Sequence, residues 1–348
     1  MESITIKHRQ HYVFQAYLKS WATNNQVWCC RNKKSVFVTN TTNVAQERDF
    51  YRIKDINQDE AQFLSLMWNR QPKENKVILQ NQLAIHQKPL QWRKAIEQFK
   101  KILIDSVYSG GCISKDVLEQ FEQAERLAES AINDMVEDIY SEDEGRLVNY
   151  IESIKKEDTS FYTQPCIPKD GVFDDTKRDF LYLLSLQHFR TKAARERLIS
   201  IGKNLSGSKE EFASLVINKD NLRMDHLSYH LFWFAEAMVA DVLYEKNAHL
   251  TLLINNTETP FVTTDQPIIN LLADYQDSTD EVTNMVYYYP ISPKIAITVN
   301  DSNIDDKLDL LKEQVEKYNQ KLINASYEFI FADNEKVLRT ICTGDEKQ

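Results

Sequence analysis

Lys7-His8-Arg9-Gln10-His11-Tyr12-Val13-Phe14-Gln15-Ala16-Tyr17-Leu18-Lys19-Ser20-Trp21 is the stretch that decides how the two ends of this chain are used. It lies where most domains fray. Yet it carries two histidines, two glutamines and four aromatic side chains in fifteen positions. Val13, Phe14, Tyr17, Leu18 and Trp21 recur at the i, i+3, i+4 spacing of a helix face. The spacing predicts a helix from about Tyr12, with His8 and His11 on its approach and Gln15 on its first turn. Titratable groups therefore lead straight into a segment that must be buried.

The chain around it has 348 residues, 42% of them apolar, with only seven glycines and eight prolines. Average usage is about 7% and 5%, so few breakers stand among many Leu, Ile, Glu, Lys and Gln, and a mainly helical protein is expected. Glycine-rich parallel-sheet cofactor folds lose support. The formal charge is −10, from 42 basic and 52 acidic residues. That balance argues against a general nucleic-acid coat protein, which is basic over its domain. It leaves open an enzyme with a local basic channel, because runs such as Glu137-Asp138-Ile139-Tyr140-Ser141-Glu142-Asp143-Glu144 dominate the total. Five cysteines, an odd number with no Cys-x-x-Cys, indicate neither a disulfide framework nor a thiolate zinc cluster. Met1–Lys7 has no apolar leader, no run approaches ~18 apolar residues, and a cytoplasmic protein without membrane spans is expected.

Outward from the opening, Gln26–Cys30 and Ser35–Val38 flank Arg31-Asn32-Lys33-Lys34 as a β-hairpin. From about 57 to 250 helices dominate. One spans Asp59–Asn69. Another opens at Pro89 and stops at Gly110-Gly111. An acidic helix spans Ser114–Ser141, and a further one Gly145–Ile154. Asp174-Asp175-Thr176 caps a helix through His188 that continues to Ile201, with Gly202 as its stop. Arg223–Tyr244, apolar nearly all round after Tyr229, reads as a central helix. Leu250–Ile254 and Pro260–Thr264 read as strands around the turn Asn255–Glu258, as do Asn284–Tyr289, Ile295–Val299 and Tyr327–Phe331. Asp305–Asn324 reads as helix and Thr343–Gln348 as a frayed tail. The expected fold is α+β, one domain over residues 1–348. Its helical middle stands between an N-terminal hairpin and C-terminal strands that together build one small, mostly antiparallel sheet.

The opening motif resembles the bacterial family called domain of unknown function 4238, whose members open His-Tyr-Val-Pro-Gln-x-Tyr-Leu-Arg-x-Phe. Thr263-Thr264-Asp265-Gln266-Pro267, Tyr289-Pro290-Ile291-Ser292-Pro293, the Asp49-Phe50-Tyr51 step and Gln187-x-x-Arg190-Thr191 are similar to further family elements. Phe14 departs from the pattern by replacing proline. The resemblance implies architecture over nearly the whole chain and a bacterial setting; it implies no activity.

Several residues could carry chemistry. His8 and His11, three apart, suit an acid–base couple or metal ligands, with Gln15 beside them; the bland alternative is an exposed tail. Asp265, before a proline that ends a strand, suits a ligand or general base, or an Asx-type cap of its turn. Glu47 with Asp265 and His11 could share a divalent cation, Mg²⁺ or Mn²⁺, for phosphodiester hydrolysis; Glu47-Arg48-Asp49 could equally be a surface salt bridge. Gln187, Arg190, Lys192 and Arg195 form the most basic stretch and could bind phosphates, or be a solvated face. His226 and His230 lack the glutamate of a zinc helix and read as packing histidines. No phosphate loop is present; the nearest miss runs Gly202 to Gly207.

Two functions follow as expectations. One is a metal-assisted nuclease or related phosphodiester hydrolase acting on nucleic acid, in bacterial anti-phage defence. In it His8 or His11 serves as ligand or acid–base, Asp265 and Glu47 hold the cation, and Arg190 neutralises phosphate. The other is a non-enzymatic interaction or regulatory module. There the motifs form a structural polar network, and the acidic helices meet a protein partner.

Overall fold

Phe14, standing in the family's proline position, has φ −68° and ψ 143°, the φ that a proline ring would impose. The backbone before it is extended: the Tyr12 and Val13 amides both donate to the Ala45 carbonyl at 3.0 and 3.5 Å. Helix α1 therefore spans Gln15–Leu18, three residues later than the apolar spacing predicts, and tightens into a 3-10 turn at Lys19–Trp21.

The computed structural model describes residues 4–69, 71–108, 112–204, 218–276, 284–301 and 305–343. The predicted stop at Gly110-Gly111, the end of the Gly202 to Gly207 run and the tail beyond Thr343 lie outside them. In chain order the strands are β1 Arg9–His11, β2 Gln26–Arg31, β3 Ser35–Asn40, β4 Gln46–Arg48, β5 His249–Ile254, β6 Thr263–Thr264, β7 Ile269–Asn270, β8 Tyr287–Pro290, β9 Ile295–Asn300, β10 Lys307–Asp309 and β11 Phe329–Ala332. The helices after α1 are α2 Gln58–Asn69, α3 Lys73–Tyr108, α4 Lys115–Lys155, α5 Ser160–Thr163, α6 Thr176–Phe189, α7 Lys192–Asn204, α8 Met224–Glu245, α9 Lys312–Ala325 and α10 Glu335–Thr343. The class is α+β. The described residues fall into two compact units, one within 1–10, 47–142 and 208–230, the other within 11–46, 143–207 and 231–348.

The first unit is helical. Asn57 and Glu60 form a reciprocal cap on α2, each side chain accepting from the other's backbone amide at 2.8–2.9 Å. Arg223 closes over the buried Glu60 carboxylate at 2.7–2.8 Å. Gln10 is wholly buried, donating to the Asn133 carbonyl at 2.7 Å and accepting from the Tyr51 amide at 2.6 Å. Helix α3 runs through Pro89 instead of starting there, which leaves the Ile85 carbonyl without its helical donor.

The second unit holds two sheets, not one. The first has the order β3-β2-β11-β6 and joins the N-terminal hairpin to C-terminal strands. Its hairpin turns through Asn32 and Lys33, both at positive φ (53° and 56°), within a three-residue connection between the paired Arg31 and Ser35. The other has the order β10-β5-β9-β8-β7 and is antiparallel except where β10 lies along β5. Tyr287, Tyr288 and Tyr289 are all buried because β8 is covered on both faces. Strands β5 and β6, predicted to flank one turn, enter different sheets; β5 pairs with β9 and β6 with β11. Within the predicted helix 305–324, Lys307–Asp309 is edge strand β10, whose signal is backbone pairing and not side-chain pattern. The two predicted helices 114–141 and 145–154 are one, α4; Gly145 has no heavy atom within 4 Å of its missing Cβ and is carried at the usual cost of about 1 kcal/mol. Cys30 and Cys342 are joined as a disulfide across 312 residues. Only the docking of α10 against β2 and β11 brings them together, so no local spacing reports the pair. Among the described residues no helix is long and apolar enough to cross a membrane.

The opening segment is locked onto the C-terminal strands. Tyr17 donates its hydroxyl to the Pro290 carbonyl at 2.7 Å and pairs with Thr263 Oγ1 at 2.7 Å. Trp21 Nε1 donates to the Phe261 carbonyl at 2.8 Å, and Tyr17 stacks on Tyr289 with centroids 5.0 Å apart. Removing a buried hydroxyl that serves two partners leaves both unsatisfied. Tyr17→Phe is therefore expected to lower unfolding free energy by about 1–3 kcal/mol, read from urea denaturation; an unchanged midpoint would show that the hydroxyl does not secure the segment.

Candidate functional site

Two consecutive residues of the Thr-Thr-Asp-Gln-Pro element saturate their surroundings. Asp265 is wholly buried, and its carboxylate accepts from the backbone amides of Tyr327, Glu328 and Phe329 at 2.9, 2.6 and 3.0 Å. Burial pushes its pKa up to about 6, outweighing the three amide donors that favour the anion. Gln266, equally buried, fills every valence of its amide. Its oxygen accepts from Thr191 Oγ1 at 2.6 Å and Arg197 Nη2 at 2.8 Å, and its nitrogen donates to the His188 and Ile268 carbonyls at 2.9 and 2.8 Å. His188 Nδ1 meets the same Ile268 carbonyl at 2.9 Å, and burial holds the imidazole down to about 4.

The end of α6 reaches the opening motif. Gln187 Nε2 donates to the Tyr12 carbonyl at 3.2 Å, and Arg190 Nη2 to the His11 carbonyl at 2.7 Å and Glu144 Oε1 at 2.6 Å. The helix stops here because Thr191 turns its hydroxyl to the Ala194 amide (3.1 Å) and caps α7. Arg190 is the meeting point of a buried acidic group. Arg146 pairs with Asp143 at 2.7 Å and Asp179 at 2.9 Å, and Tyr150 donates to Asp179 at 2.9 Å. Glu236, on α8, is wholly buried with neither carboxylate oxygen hydrogen-bonded. Burial drives its pKa well above the usual 4.5; Asp143 adds to the rise and Arg190 opposes it. Asp143 is itself pushed up to about 6 by burial. The Tyr289 hydroxyl, buried without a partner, lies in the field of Arg190 and Glu144. A carboxyl that burial holds in its protonated form beside an arginine can donate a proton.

Other predicted site residues are placed differently. Arg190, Gln187, Thr191, Asp265 and Gln266 belong to the buried second unit, with the His11 backbone among them. His8 lies in the first unit, with Nδ1 2.6 Å from Asp49 Oδ1. Glu47 also lies in the first unit. Gln15 donates to Thr41 Oγ1 at 3.1 Å. Lys192 sits over the Tyr327 ring and 3.8 Å from Glu328, and Arg195 3.8 Å from Glu196. Among the described residues no three His, Cys, Asp or Glu side chains are placed to hold a metal ion. His226 Nδ1 meets the Asp55 carbonyl at 2.8 Å, and His230 packs edge-on to His86 with centroids 4.6 Å apart.

Asp143, Glu144, Asp179 and Glu236 escaped sequence reasoning. Only Glu236 left a signal, as a single carboxylate inside the apolar run Leu231–Ala240.

Residues 9–336 match the model of a family described as a protein of unknown function (DUF4238). The chain belongs to that family. Among curated proteins and among solved structures, none matches. Within the matched range, Thr191 and Gln266 are bonded directly, Asp265 holds the amides of 327–329, and Gln187 and Arg190 hold the backbone carbonyls of Tyr12 and His11.

Two outcomes are expected. Asp265→Ala strands three backbone amides at about 1–3 kcal/mol each, and urea denaturation should show a loss of at least ~3 kcal/mol; a smaller loss would mean that the amides find other acceptors. Glu236 has a raised folded pKa, so its contribution is full below 4.5 and is lost as pH rises toward that folded value. Glu236→Gln should therefore match wild type near pH 4.5 and gain on it by about 1.4 kcal/mol per pH unit above that. A stability difference that stays flat from pH 5 to about 8 would show that Glu236 is solvated or paired.

Proposed function

We propose that this protein is a non-enzymatic interaction or regulatory module. Its family motifs serve as a structural polar network, and the acidic face of α4, with Asp116, Glu119 and Glu122 exposed, is offered to a protein partner. The observation that carries this reading is how fully Asp265 and Gln266 are engaged: five backbone groups and two side chains fill all four hydrogen-bonding positions of the Gln266 amide and three of about four on the Asp265 carboxylate. A buried network with every member satisfied specifies one arrangement, whereas a catalytic carboxylate keeps capacity for its substrate. Arg190 fits the same role, since its guanidinium holds the His11 carbonyl and Glu144 inside the fold.

One observation favours a second reading, the phosphodiester hydrolase acting on nucleic acid in anti-phage defence. The Glu236 carboxyl has no hydrogen-bond partner and stands in the field of Arg190 and Asp143. In that reading Glu236 is the proton donor, Glu144 the base, and Arg190 the cation that meets phosphate.

The test is incubation of wild type, Glu236→Gln and Asp265→Ala with plasmid, single-stranded DNA and total RNA, each with Mg²⁺, Mn²⁺ or chelator. Circular dichroism confirms the fold of each variant. Intact nucleic acid in every arm is expected. Cleavage by wild type that disappears in folded Glu236→Gln would overturn the module reading and place the chemistry at the acidic group.

A further inference from the structure

Helix α3 has two apolar faces, and its own unit covers one. Leu79, His86 and Leu90 are buried. Ile78, Ile85, Trp92 and Phe99 stand seven residues apart and are 52%, 48%, 56% and 62% exposed. Three residues beyond each come Asn81, Lys88, Ala95 and Ile102, all exposed, Ile102 at 62%. A seven-residue apolar repeat supplies one row of a coiled-coil seam; the row three residues on is apolar at Ala95 and Ile102 and polar at Asn81 and Lys88, positions that set register at a cost in stability. The two rows together run from Ile78 to Ile102, about 36 Å of helix. The half-exposure of the first set has a simple cause: those side chains lie at the border of the covered face, and a second helix would cover their other half.

We propose that this face pairs with α3 of a second copy of the chain, antiparallel about a two-fold axis at the level of residue 90. That register sets Ile78 of one copy against Ile102 of the other, Ile85 against Ala95, Phe99 against Asn81 and Trp92 against Lys88, each contact made twice by symmetry. The Lys88 ammonium then meets the Trp92 ring, a favourable cation–π pairing. A parallel register would instead put Lys88 against Lys88 in the seam. Ala84, Gln91 and Gln98 along the border are uncharged, so the copies do not repel there and nothing on this edge selects a charged partner. The exposed apolar side chains amount to roughly 600 Å² per copy. Glutamine and lysine stems at the border bring the face close to the ~800 Å² per partner that stable interfaces bury. The pairing goes beyond the reading above and holds whether or not the protein is an enzyme.

The test is light scattering coupled to size exclusion on the full chain over a dilution series. The expected mass is that of two chains at the upper concentrations, falling to one chain throughout in the double variant Trp92→Glu, Phe99→Glu with unchanged circular dichroism. In the antiparallel register Gln91 faces its own copy across the axis. Gln91→Cys should therefore cross-link between chains under mild oxidation above the background set by exposed Cys112 and Cys166, and Glu97→Cys should not. A single-chain mass at every concentration overturns the proposal, as does a dimer that the double variant leaves intact. Should the double variant fail to fold, the Gln91→Cys cross-link decides, and cross-linking no better than Glu97→Cys overturns the register.

Discussion

A carboxylate sealed from water must find donors, and in this protein Asp265 finds three consecutive backbone amides at the start of β11. That single requirement fixes where β11 begins, and β11 is the strand on which β2 and β6 both pair. The N-terminal hairpin reaches its sheet only through β11, so the placement of residues 26–40 depends on an aspartate more than 220 positions later. Gln266 extends the constraint to helices, because its amide ties the His188 carbonyl, Thr191 and Arg197 to the same corner. Two adjacent polar side chains thus hold a sheet and the junction between two helices.

The acidic group around Arg190 has the opposite character. Asp143, Glu144, Asp179 and Glu236 outnumber Arg146 and Arg190, and burial favours the neutral acid in Asp143 and Glu236. The Asp265 corner is polar and complete; this one keeps a carboxyl without a partner. Both rest on the same helix, since α6 supplies Asp179 to one and ends at the residues that serve the other. The saturated corner is built on Thr263-Thr264-Asp265-Gln266-Pro267, while Glu236 lies in the apolar part of α8.

Parts of this were legible in the residues. The hairpin was, because the polar Arg31-Asn32-Lys33-Lys34 separates two β-branched and aromatic runs. The core position of Tyr17, Leu18 and Trp21 was, through their helical spacing. The start of α1 was not: the apolar spacing put it near Tyr12, whereas the extended Phe14 delays it to Gln15. The separation of β5 from β6 was not legible. The two residues of β6 are too few to show a period, and the partners of both strands, β9 and β11, lie far along the chain. Asp265 and Arg190 were visible as candidates, but whether a carboxylate caps amides or meets a substrate depends on what stands 60 residues away.

By itself the sequence determined the α+β class, the helical middle, the buried opening segment and membership of a family, because spacing, breakers and motifs are local properties. Tertiary structure alone decided that Cys30 meets Cys342, that the basic stretch 187–195 turns largely inward, and that Glu236 shares a buried field with Asp143 and Arg190. Those outcomes come from burial and from partners distant in the chain. Desolvation and pairing act on groups that only folding brings together, so no reading of neighbours could supply them.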